Sequence, residues 1–179
     1  SDVETGDVDG DGDQDVVVAS TGNNTVAWMQ NDGSGTFGVT TNLDTSATGV
    51  TDVTLVDLDH DGDMDVVAAL PGANTVAFYQ NNGSESFTRV DVSTSETGVT
   101  HVDVADVDDD GNLDILAANP TSNEIVFLQN SGVETFTRMV VASSLGGPSF
   151  VRATDIDNDG DTDFVGSGTG SDQIVWFEN

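Results

Sequence analysis

The stretch Asp7–Asp15 reads DVDGDGDQD, and its pattern returns three more times along the 179-residue chain. The later copies are Asp57–Asp65 (DLDHDGDMD), Asp106–Asp114 (DVDDDGNLD) and Asp155–Asp163 (DIDNDGDTD). The first aspartates of successive copies stand 50, 49 and 49 residues apart. Self-similarity at such a period indicates a repeat architecture, in which each unit buries a face against its neighbour.

The register of the repeat extends well beyond the acidic stretch. A valine stands four residues before each copy, and an aromatic residue stands 21 residues after each copy begins: Val3, Val53, Val102 and Val151; Trp28, Phe78, Phe127 and Trp176. In the first three copies a phenylalanine follows 30 residues after the start, at Phe37, Phe87 and Phe136. We therefore predict one domain over residues 1–179, built from repeats 1–49, 50–98, 99–147 and 148–179.

The pattern within a repeat is that of short β-strands. Apolar residues alternate before the acidic stretch, as in Val53–Leu55, and a short apolar run such as Val66–Ala69 follows it. A third strand such as Thr75–Gln80 leads through an Asn-rich turn to a fourth strand, as in Phe87–Val92. The 26 valines fit pleated strands, and no segment keeps a 3.6-residue period, so we predict no substantial helix.

Four short strands in each repeat predict an all-β fold, a β-propeller of four blades whose last blade lacks its outer strand. A single blade cannot bury both of its faces, so we predict that the aromatic residues at the repeated position lie buried between blades. Three arrangements stay open: a segment of a larger propeller, four blades that close alone, or self-association through open blade edges. The start at Ser1 predicts a processed product or a piece of a longer chain.

The composition excludes several classes of partner. The 33 acidic residues against three arginines and no lysine give a net charge of −30, and 20 of the acidic residues lie in the four repeated loops. A chain of this charge does not bind nucleic acid or an anionic membrane through its own surface. No apolar run approaches the roughly 20 residues of a membrane-spanning helix, so we expect no membrane insertion. The absence of cysteine excludes disulfides and thiolate metal sites.

The spacing of the carboxylates predicts a cation site in each loop. Calcium takes six to eight oxygens at flexible angles, and the aspartates at loop positions 1, 3, 5 and 9 can converge on one ion. Position 7 offers a backbone carbonyl, and position 6 is always a glycine, where the chain turns sharply and a Cβ would obstruct. An EF-hand is excluded because no helices flank the loops and no glutamate stands at position 12. Magnesium requires a stricter octahedron, so calcium is the favoured ion.

We therefore predict four Ca²⁺ sites, one in each repeat. The predicted metal-site residues are Asp7, Asp9, Asp11, Asp13 and Asp15; Asp57, Asp59, Asp61, Asp63 and Asp65; Asp106, Asp108, Asp110, Asn112 and Asp114; and Asp155, Asp157, Asp159, Asp161 and Asp163.

The unit D-x-D-x-D-G-x-x-D, followed by an apolar run, an aromatic-bearing strand, N-x-G and Phe, resembles the FG-GAP/VCBS repeats. The related blades of integrin α-subunit propellers carry the same loop. The resemblance covers essentially the whole chain and implies a propeller whose innermost strands lead into calcium loops. It implies that Asp7, Asp9, Asp11, Asp15 and their counterparts bind calcium together with the position-7 carbonyls. Propellers of this family commonly have more than four blades.

Catalytic side chains are few. The chain has two histidines, one tyrosine and three arginines; His60 stands at a variable loop position, and His101 falls outside the repeat pattern. Arg89 and Arg138 occupy equivalent fourth-strand positions, where we expect them to pair with local carboxylates. We therefore predict that the chain is not an enzyme.

We expect a calcium-binding structural or adhesion module that is secreted or lies at the cell surface, because cytosolic calcium is too scarce to fill weak sites. A carbohydrate-binding, lectin-like propeller, or a non-catalytic module of a polysaccharide-acting enzyme, stays open as the alternative. The partner is then a protein or a glycan. Asn23 and Asn82 lie in N-glycosylation sequons on predicted turns.

Overall fold

The computed structural model describes residues 1–132 and 135–179, and these residues form fifteen β-strands and a single 3₁₀ turn at Thr21–Asn23. The strands are β1 (Asp2–Gly6), β2 (Asp15–Ser20), β3 (Thr25–Met29), β4 (Thr41–Asp44), β5 (Asp52–Val56), β6 (Asp65–Leu70), β7 (Thr75–Asn81), β8 (Phe87–Ser93), β9 (His101–Ala105), β10 (Asp114–Asn119), β11 (Glu124–Asn130), β12 (Phe136–Ala142), β13 (Pro148–Thr154), β14 (Asp163–Gly168) and β15 (Gln173–Phe177). The described part of the chain has no helix with the length and hydropathy that a membrane span requires.

The strands form four antiparallel sheets, each a meander of consecutive strands. The sheets β1–β4, β5–β8, β9–β12 and β13–β15 are the blades of a four-blade β-propeller, which we number one to four. The inner strands β1, β5, β9 and β13 lie beside one another in chain order. The predicted all-β propeller, with a fourth blade of three strands, is confirmed.

The outer strand is long in two blades and short in the first. In blades two and three it begins at Phe87 and Phe136, as the sequence pattern predicts. In blade one, β4 has only four residues, and Phe37 forms an isolated bridge with Asn31. The intervening segment contains three glycines within six residues (Gly33, Gly35 and Gly38), and glycine disfavours strand formation.

Three apolar cores lie between successive blades. The core between blades one and two contains Val17, Val26 and Trp28 from blade one and Val66 and Tyr79 from blade two. Equivalent residues form the cores between blades two and three and between blades three and four. Blades two and three therefore bury both faces, one against the blade before and the other against the blade after, whereas blades one and four each bury one face.

The predicted burial of the repeated aromatics holds for three of the four. Trp28, Phe78 and Phe127 are at most 7% exposed, whereas Trp176 is 47% exposed. The prediction for Trp176 is wrong because burial of this position needs a following blade, and among the described residues none packs on that face of blade four.

Two arginines connect the blades at their outer strands. Arg89 of β8 lies 2.8 Å from Asp44 at the end of β4, and it also pairs with Asp91. Arg138 of β12 pairs with Glu96, which is fully buried in the segment between β8 and β9, and with Glu124. The predicted pairing of these arginines with local carboxylates is confirmed.

Candidate metal sites

Each acidic loop joins the inner strand of its blade to the second strand, and its backbone turns twice through positive φ. At loop position 4, Gly10, His60, Asp109 and Asn158 have φ between +56° and +75°. Glycine, asparagine, aspartate and histidine are the residues that most readily take this conformation. The four different residues at position 4 therefore share one requirement, a positive φ, which was not predicted from the comparison of the four copies.

The glycine at position 6 meets a different requirement from the predicted one. The four glycines have φ between +89° and +106°, and a Cβ at any of them would meet no atom within 4 Å: Gly12, Gly62, Gly111 and Gly160. The prediction that a Cβ would obstruct is therefore wrong. Glycine is needed because an L-residue at this φ would strain the backbone.

The aspartate at position 9 anchors the loop to the blade. Asp65 is fully buried, and its two oxygens accept hydrogen bonds from the backbone N–H groups of Leu58 (2.9 Å) and Asn81 (2.8 Å). The same pair of bonds holds the other three copies: Asp15, Asp114 and Asp163. Burial raises the pKa of Asp65 to about 7, and a cation bound beside it would lower that pKa again.

The aspartates at positions 1, 3 and 5 are oriented by amides of their own loop. In the second loop, Asp57 accepts the N–H of Gly62 at 3.1 Å, Asp59 accepts that of Asp61 at 3.2 Å, and Asp61 accepts that of Asp63 at 3.0 Å. The bond from the position-6 glycine to the position-1 aspartate recurs in all four loops. The loop backbone thus holds several like charges close together.

Four groups of three carboxylates have oxygens within 4.8 Å of one another, one group in each blade. Positions 1 and 3 belong to every group; position 9 completes three of them, and position 5 completes the second. The groups are Asp7, Asp9 and Asp15; Asp57, Asp59 and Asp61; Asp106, Asp108 and Asp114; and Asp155, Asp157 and Asp163.

The other predicted site residues lie in the same loops but outside these groups. They are the position-5 residues Asp11, Asp110 and Asp159, the position-7 residues Asp13, Asp63, Asn112 and Asp161, and Asp65 at position 9 of the second loop. The position-7 side chain faces the Asn-rich turn after the third strand: a Cβ at Gly83 would overlap the carboxylate of Asp63. The position-7 side chain therefore packs directly against the glycine of that turn.

The donor set fits a hard divalent cation. Three carboxylate oxygens converge in each group, and neither arginine nor lysine occurs in the four loops to offset their charge. In the first loop, the buried Asp7 Oδ1 has no hydrogen-bond partner among the described residues. Oxygen-only ligands on a short flexible loop are the surroundings that calcium prefers. The carboxylates at positions 1, 3, 5 and 9 would hold such an ion.

A glutamine contacts each of the first three groups, and the sequence reasoning missed it. Gln30 directly follows β3, and Gln80 and Gln129 are the penultimate residues of β7 and β11. All three donate through Nε2 to the position-3 aspartates Asp9, Asp59 and Asp108. Blade four has Glu178 at this position. The signal was present as a Gln-Asn pair at a constant distance after each of the first three loops.

The asparagine after this glutamine connects neighbouring blades. Asn81 of blade two donates through Nδ2 to the carbonyl of Val8 in the first loop (2.9 Å), and Asn179 of blade four donates to Val107 in the third (2.7 Å). The equivalent Asn31 of blade one and Asn130 of blade three donate instead to Gln14 and Leu113 in their own blades. The first and third acidic loops are thus braced by the blade that follows each of them.

The two histidines lie in different surroundings. His60, at the tip of the second loop as predicted, lines a cleft of about 400 Å³ between blades two and three, together with Asp59, Asn112, Asn130 and Phe136. His101 lies on β9 with its ring centroid 4.2 Å from that of Phe150, and burial lowers its pKa.

Solved structures similar to this chain are larger proteins. A lectin of Agrocybe aegerita that recognises non-reducing terminal N-acetylglucosamine is 22% identical, with a TM-score of 0.64 over 92% of this chain and 46% of the lectin chain. The biofilm matrix protein Bap1 of V. cholerae is 21% identical, with a TM-score of 0.66 over 98% of this chain and 26% of that chain. BBS1N, solved in complex with ARL6DN, is 13% identical, with a TM-score of 0.63 over 98% and 55% of the two chains. At these identities the likeness shows the fold, and the chain spans about a quarter to about half of each of these proteins.

The family comparison follows the repeat found in the sequence. No curated protein matches the chain. The FG-GAP-like repeat model matches residues 7–68, 57–117 and 106–166. Each match begins at the first aspartate of one loop and ends in the apolar run after the next loop. These matches cover most of the chain, and the chain therefore belongs to the FG-GAP-like repeat family.

Proposed function

We propose that this chain is a binding or adhesion module that acts outside the cell and is stabilised by four calcium ions. The proposal rests on the four loops that each bring three carboxylate oxygens within 4.8 Å without an arginine or a lysine in the loop. Such groups repel one another unless a cation lies between them. Four Ca²⁺ ions, each with two positive charges, would change the net charge from −30 to −22.

A bound ion would stiffen the connection between the inner and second strands of a blade. The first and third loops are braced across blade boundaries by Asn81 and Asn179, so the stiffening of these two loops would extend to the neighbouring blade. The extracellular location is supported by the family, whose repeats are typical of extracellular proteins, and by the need for a calcium concentration near the millimolar range. A surface that stays anionic excludes nucleic acid as a partner, and we assign the module no enzymatic activity.

Calcium titration and thermal unfolding test this proposal. At about 1 mM calcium and a dissociation constant of about 0.1 mM, each site adds about 1.4 kcal/mol, and four sites add roughly 5–6 kcal/mol. We expect isothermal titration calorimetry to give four ions per chain, and EDTA to lower the melting temperature by about 10–20 °C. Equal melting temperatures in calcium and in EDTA would overturn the proposal.

A pair of variants separates a site effect from a charge effect. Asp61→Asn removes one carboxylate of the second group, so we expect one ion fewer per chain and a smaller calcium-dependent gain in melting temperature. Asp172→Asn makes the same change of charge at an exposed turn outside the loops, and we expect it to keep all four ions. Loss of an ion in both variants would indicate bulk charge rather than a site.

Carbohydrate binding is the second candidate function, and the cleft between blades two and three favours it. This cleft combines apolar surface from the half-buried Phe136 with the polar side chains of His60, Asn112 and Asn130. Sugar recognition uses such a combination of apolar contact and oriented polar groups. A glycan array in calcium tests it: saturable binding that His60→Ala abolishes supports the candidate, and an array without binding contradicts it.

A further inference from the structure

We propose that the cleft between blades two and three binds a neutral saccharide, and that calcium in the second acidic loop controls the affinity of this cleft. This inference rests on the calcium sites and on the carbohydrate-binding candidate described above. It adds the class of ligand, the residues that distinguish this cleft from the preceding blade junction, and the ion that regulates it.

The junction between blades two and three lacks the contact that spans the preceding junction. Between blades one and two, Asn81 donates to the carbonyl of Val8 across the boundary at 2.9 Å. The equivalent Asn130 of blade three donates instead to Leu113 of its own blade, at 3.0 Å. Leu58 lines the cleft at the position of Val8, and no hydrogen bond from a described residue reaches its carbonyl. The acceptor that is satisfied at the first junction is therefore left for a ligand at the second.

Two residue differences change the chemistry of the same place. Loop position 4 is Gly10 at the first junction and His60 at the second. Position 7, which the following blade contributes, is Asp63 at the first junction and Asn112 at the second. His60 and Asn112 both line the cleft. The second junction therefore has an imidazole where the first has no side chain, and a neutral amide where the first has a carboxylate.

The polar groups of the cleft suit a ligand with several hydroxyl groups and no charge. The amides of Asn112 and Asn130 each keep one N–H beyond the one that is already bonded within blade three, and they can donate it to a ligand. The Asp59 carboxylate accepts hydroxyl donors, and the half-buried Phe136 supplies apolar surface for a sugar ring. Neither arginine nor lysine is among the described residues that line the cleft, so an anionic saccharide would be repelled by Asp59. The volume of about 400 Å³ lies in the range of small-molecule sites.

Asp59 belongs both to this cleft and to the second carboxylate group. One of its oxygens lies within 4.8 Å of oxygens of Asp57 and Asp61, and the residue lines the cleft beside His60. Without a cation the three carboxylates repel one another. A calcium ion between them would fix Asp59, and with it the adjacent Leu58 and His60.

The second loop depends on its ion more than the first and third loops do. Those two loops are held by Asn81 and Asn179 of the following blades. Asn130 makes no such contact with the second loop, so the ion is the main constraint on the side that faces the cleft. A ligand that contacts this side favours the same loop arrangement as the ion. Because such coupling is reciprocal, saccharide and ion each tighten the binding of the other by the same factor.

Calorimetric titration with small glycosides tests the ligand class. The neutral probes are the methyl glycosides of glucose, galactose, mannose and N-acetylglucosamine, and methyl glucuronide is the anionic counterpart of methyl glucoside. We expect one neutral glycoside to bind per chain in about 1 mM calcium, and methyl glucuronide not to bind. Asn112→Asp and His60→Gly give this junction the residues of the first junction, which the loop fold accepts. Each is expected to weaken binding at least about tenfold and to keep all four ions.

A second pair of variants tests the control by calcium. Asp57→Asn removes a carboxylate of the second group without changing a residue that lines the cleft, and Asp7→Asn makes the same change in the first group. We expect both variants to bind one ion fewer than the parent. Glycoside affinity should fall at least about tenfold in Asp57→Asn and should be unchanged in Asp7→Asn. In the parent, saturating glycoside should tighten one calcium site by the same factor.

The outcomes separate this inference from the functions on which it rests. Equal glycoside affinity in Asp57→Asn and Asp7→Asn would overturn the control by calcium and leave carbohydrate binding standing. Binding of methyl glucuronide as tight as that of methyl glucoside would overturn the neutral ligand class. If no glycoside binds while the parent takes up four calcium ions, the saccharide site is overturned and the calcium-stabilised module stands.

Discussion

Replacing Asn81 by alanine removes the side chain that connects blade two to the acidic loop of blade one. Asn81 is 1% exposed, and its Nδ2 donates to the backbone carbonyls of Val8 at 2.9 Å and Met64 at 3.1 Å. Its Oδ1 accepts the N–H of Gly83 at 3.2 Å. A buried polar group that loses its partner costs about 1–3 kcal/mol. Asn81→Ala removes three such hydrogen bonds together, so we expect it to lower the free energy of unfolding by about 2–4 kcal/mol.

Asn31→Ala is the matched control, because Asn31 holds the equivalent position but lies at the open face of blade one. Its Nδ2 donates only to Gln14 of its own blade, at 3.1 Å, so we expect a loss below about 1 kcal/mol. Urea unfolding in saturating calcium measures both losses. The expected fall in melting temperature for Asn81→Ala is about 5–15 °C. Equal losses in the two variants, or a loss below about 0.5 kcal/mol for Asn81→Ala, would refute the reasoning.

The other predictions concern the backbone of a loop, a buried carboxyl and a buried ion pair. Gly62→Ala places a side chain at a φ of +99°, so we expect the free energy of unfolding to fall by about 1–2 kcal/mol and calcium to bind that loop more weakly. Gly22→Ala is the control, because Gly22 also lies in open space but has no positive φ, and we expect this variant to be near neutral in thermal unfolding. Burial raises the pKa of Asp52 to about 7, well above the roughly 3.9 of an aspartate in an unfolded chain, so the folded state favours the protonated carboxyl. The contribution of Asp52 to stability is therefore full below about pH 4 and is lost as the pH rises through 7. Asp52→Asn should remove this part of the pH dependence, on the order of 1 kcal/mol between pH 5 and 8 in urea unfolding, and an unchanged pH profile would contradict it. Glu96→Ala removes the fully buried carboxylate that pairs with the partly exposed Arg138 and should cost about 2–4 kcal/mol by chemical denaturation. Glu124→Ala, at the more exposed partner of Arg138, should cost under about 1 kcal/mol.

The blade architecture could be predicted from the sequence because every repeat folds into the same unit. Equivalent residues begin equivalent strands, as Phe87 and Phe136 do, so the spacing of the copies predicts the number of blades and the position of each loop. The carboxylates at positions 1 and 3 converge in all four loops for the same reason. The sequence pattern within a repeat is sufficient to predict these features because contacts within the same repeat determine them.

Properties that depend on a neighbouring blade could not be predicted in this way. Trp176 has the register of Trp28, but the solvent exposure of each depends on what packs over it. Glu96 stands where the preceding repeat has Ala47, and its burial is tolerated because Arg138, 42 residues later, pairs with it. The role of Gly62 was predicted with the wrong cause, because the need for glycine was assigned to space rather than to backbone angle.

The same kind of apolar interface joins every pair of successive blades, and this determines how the length of such a protein can change. Each blade contacts mainly the blades next to it in chain order, so the stability is approximately a sum of repeat terms and nearest-neighbour terms. If residues 50–98 were deleted as a unit, the face of blade one that contains Trp28 would meet the face of blade three that contains Leu128, at the position of Tyr79. The new junction would be of the same kind as the two it replaces. Gene duplication and deletion can therefore lengthen or shorten this protein in whole steps of about 49 residues without the evolution of a new core.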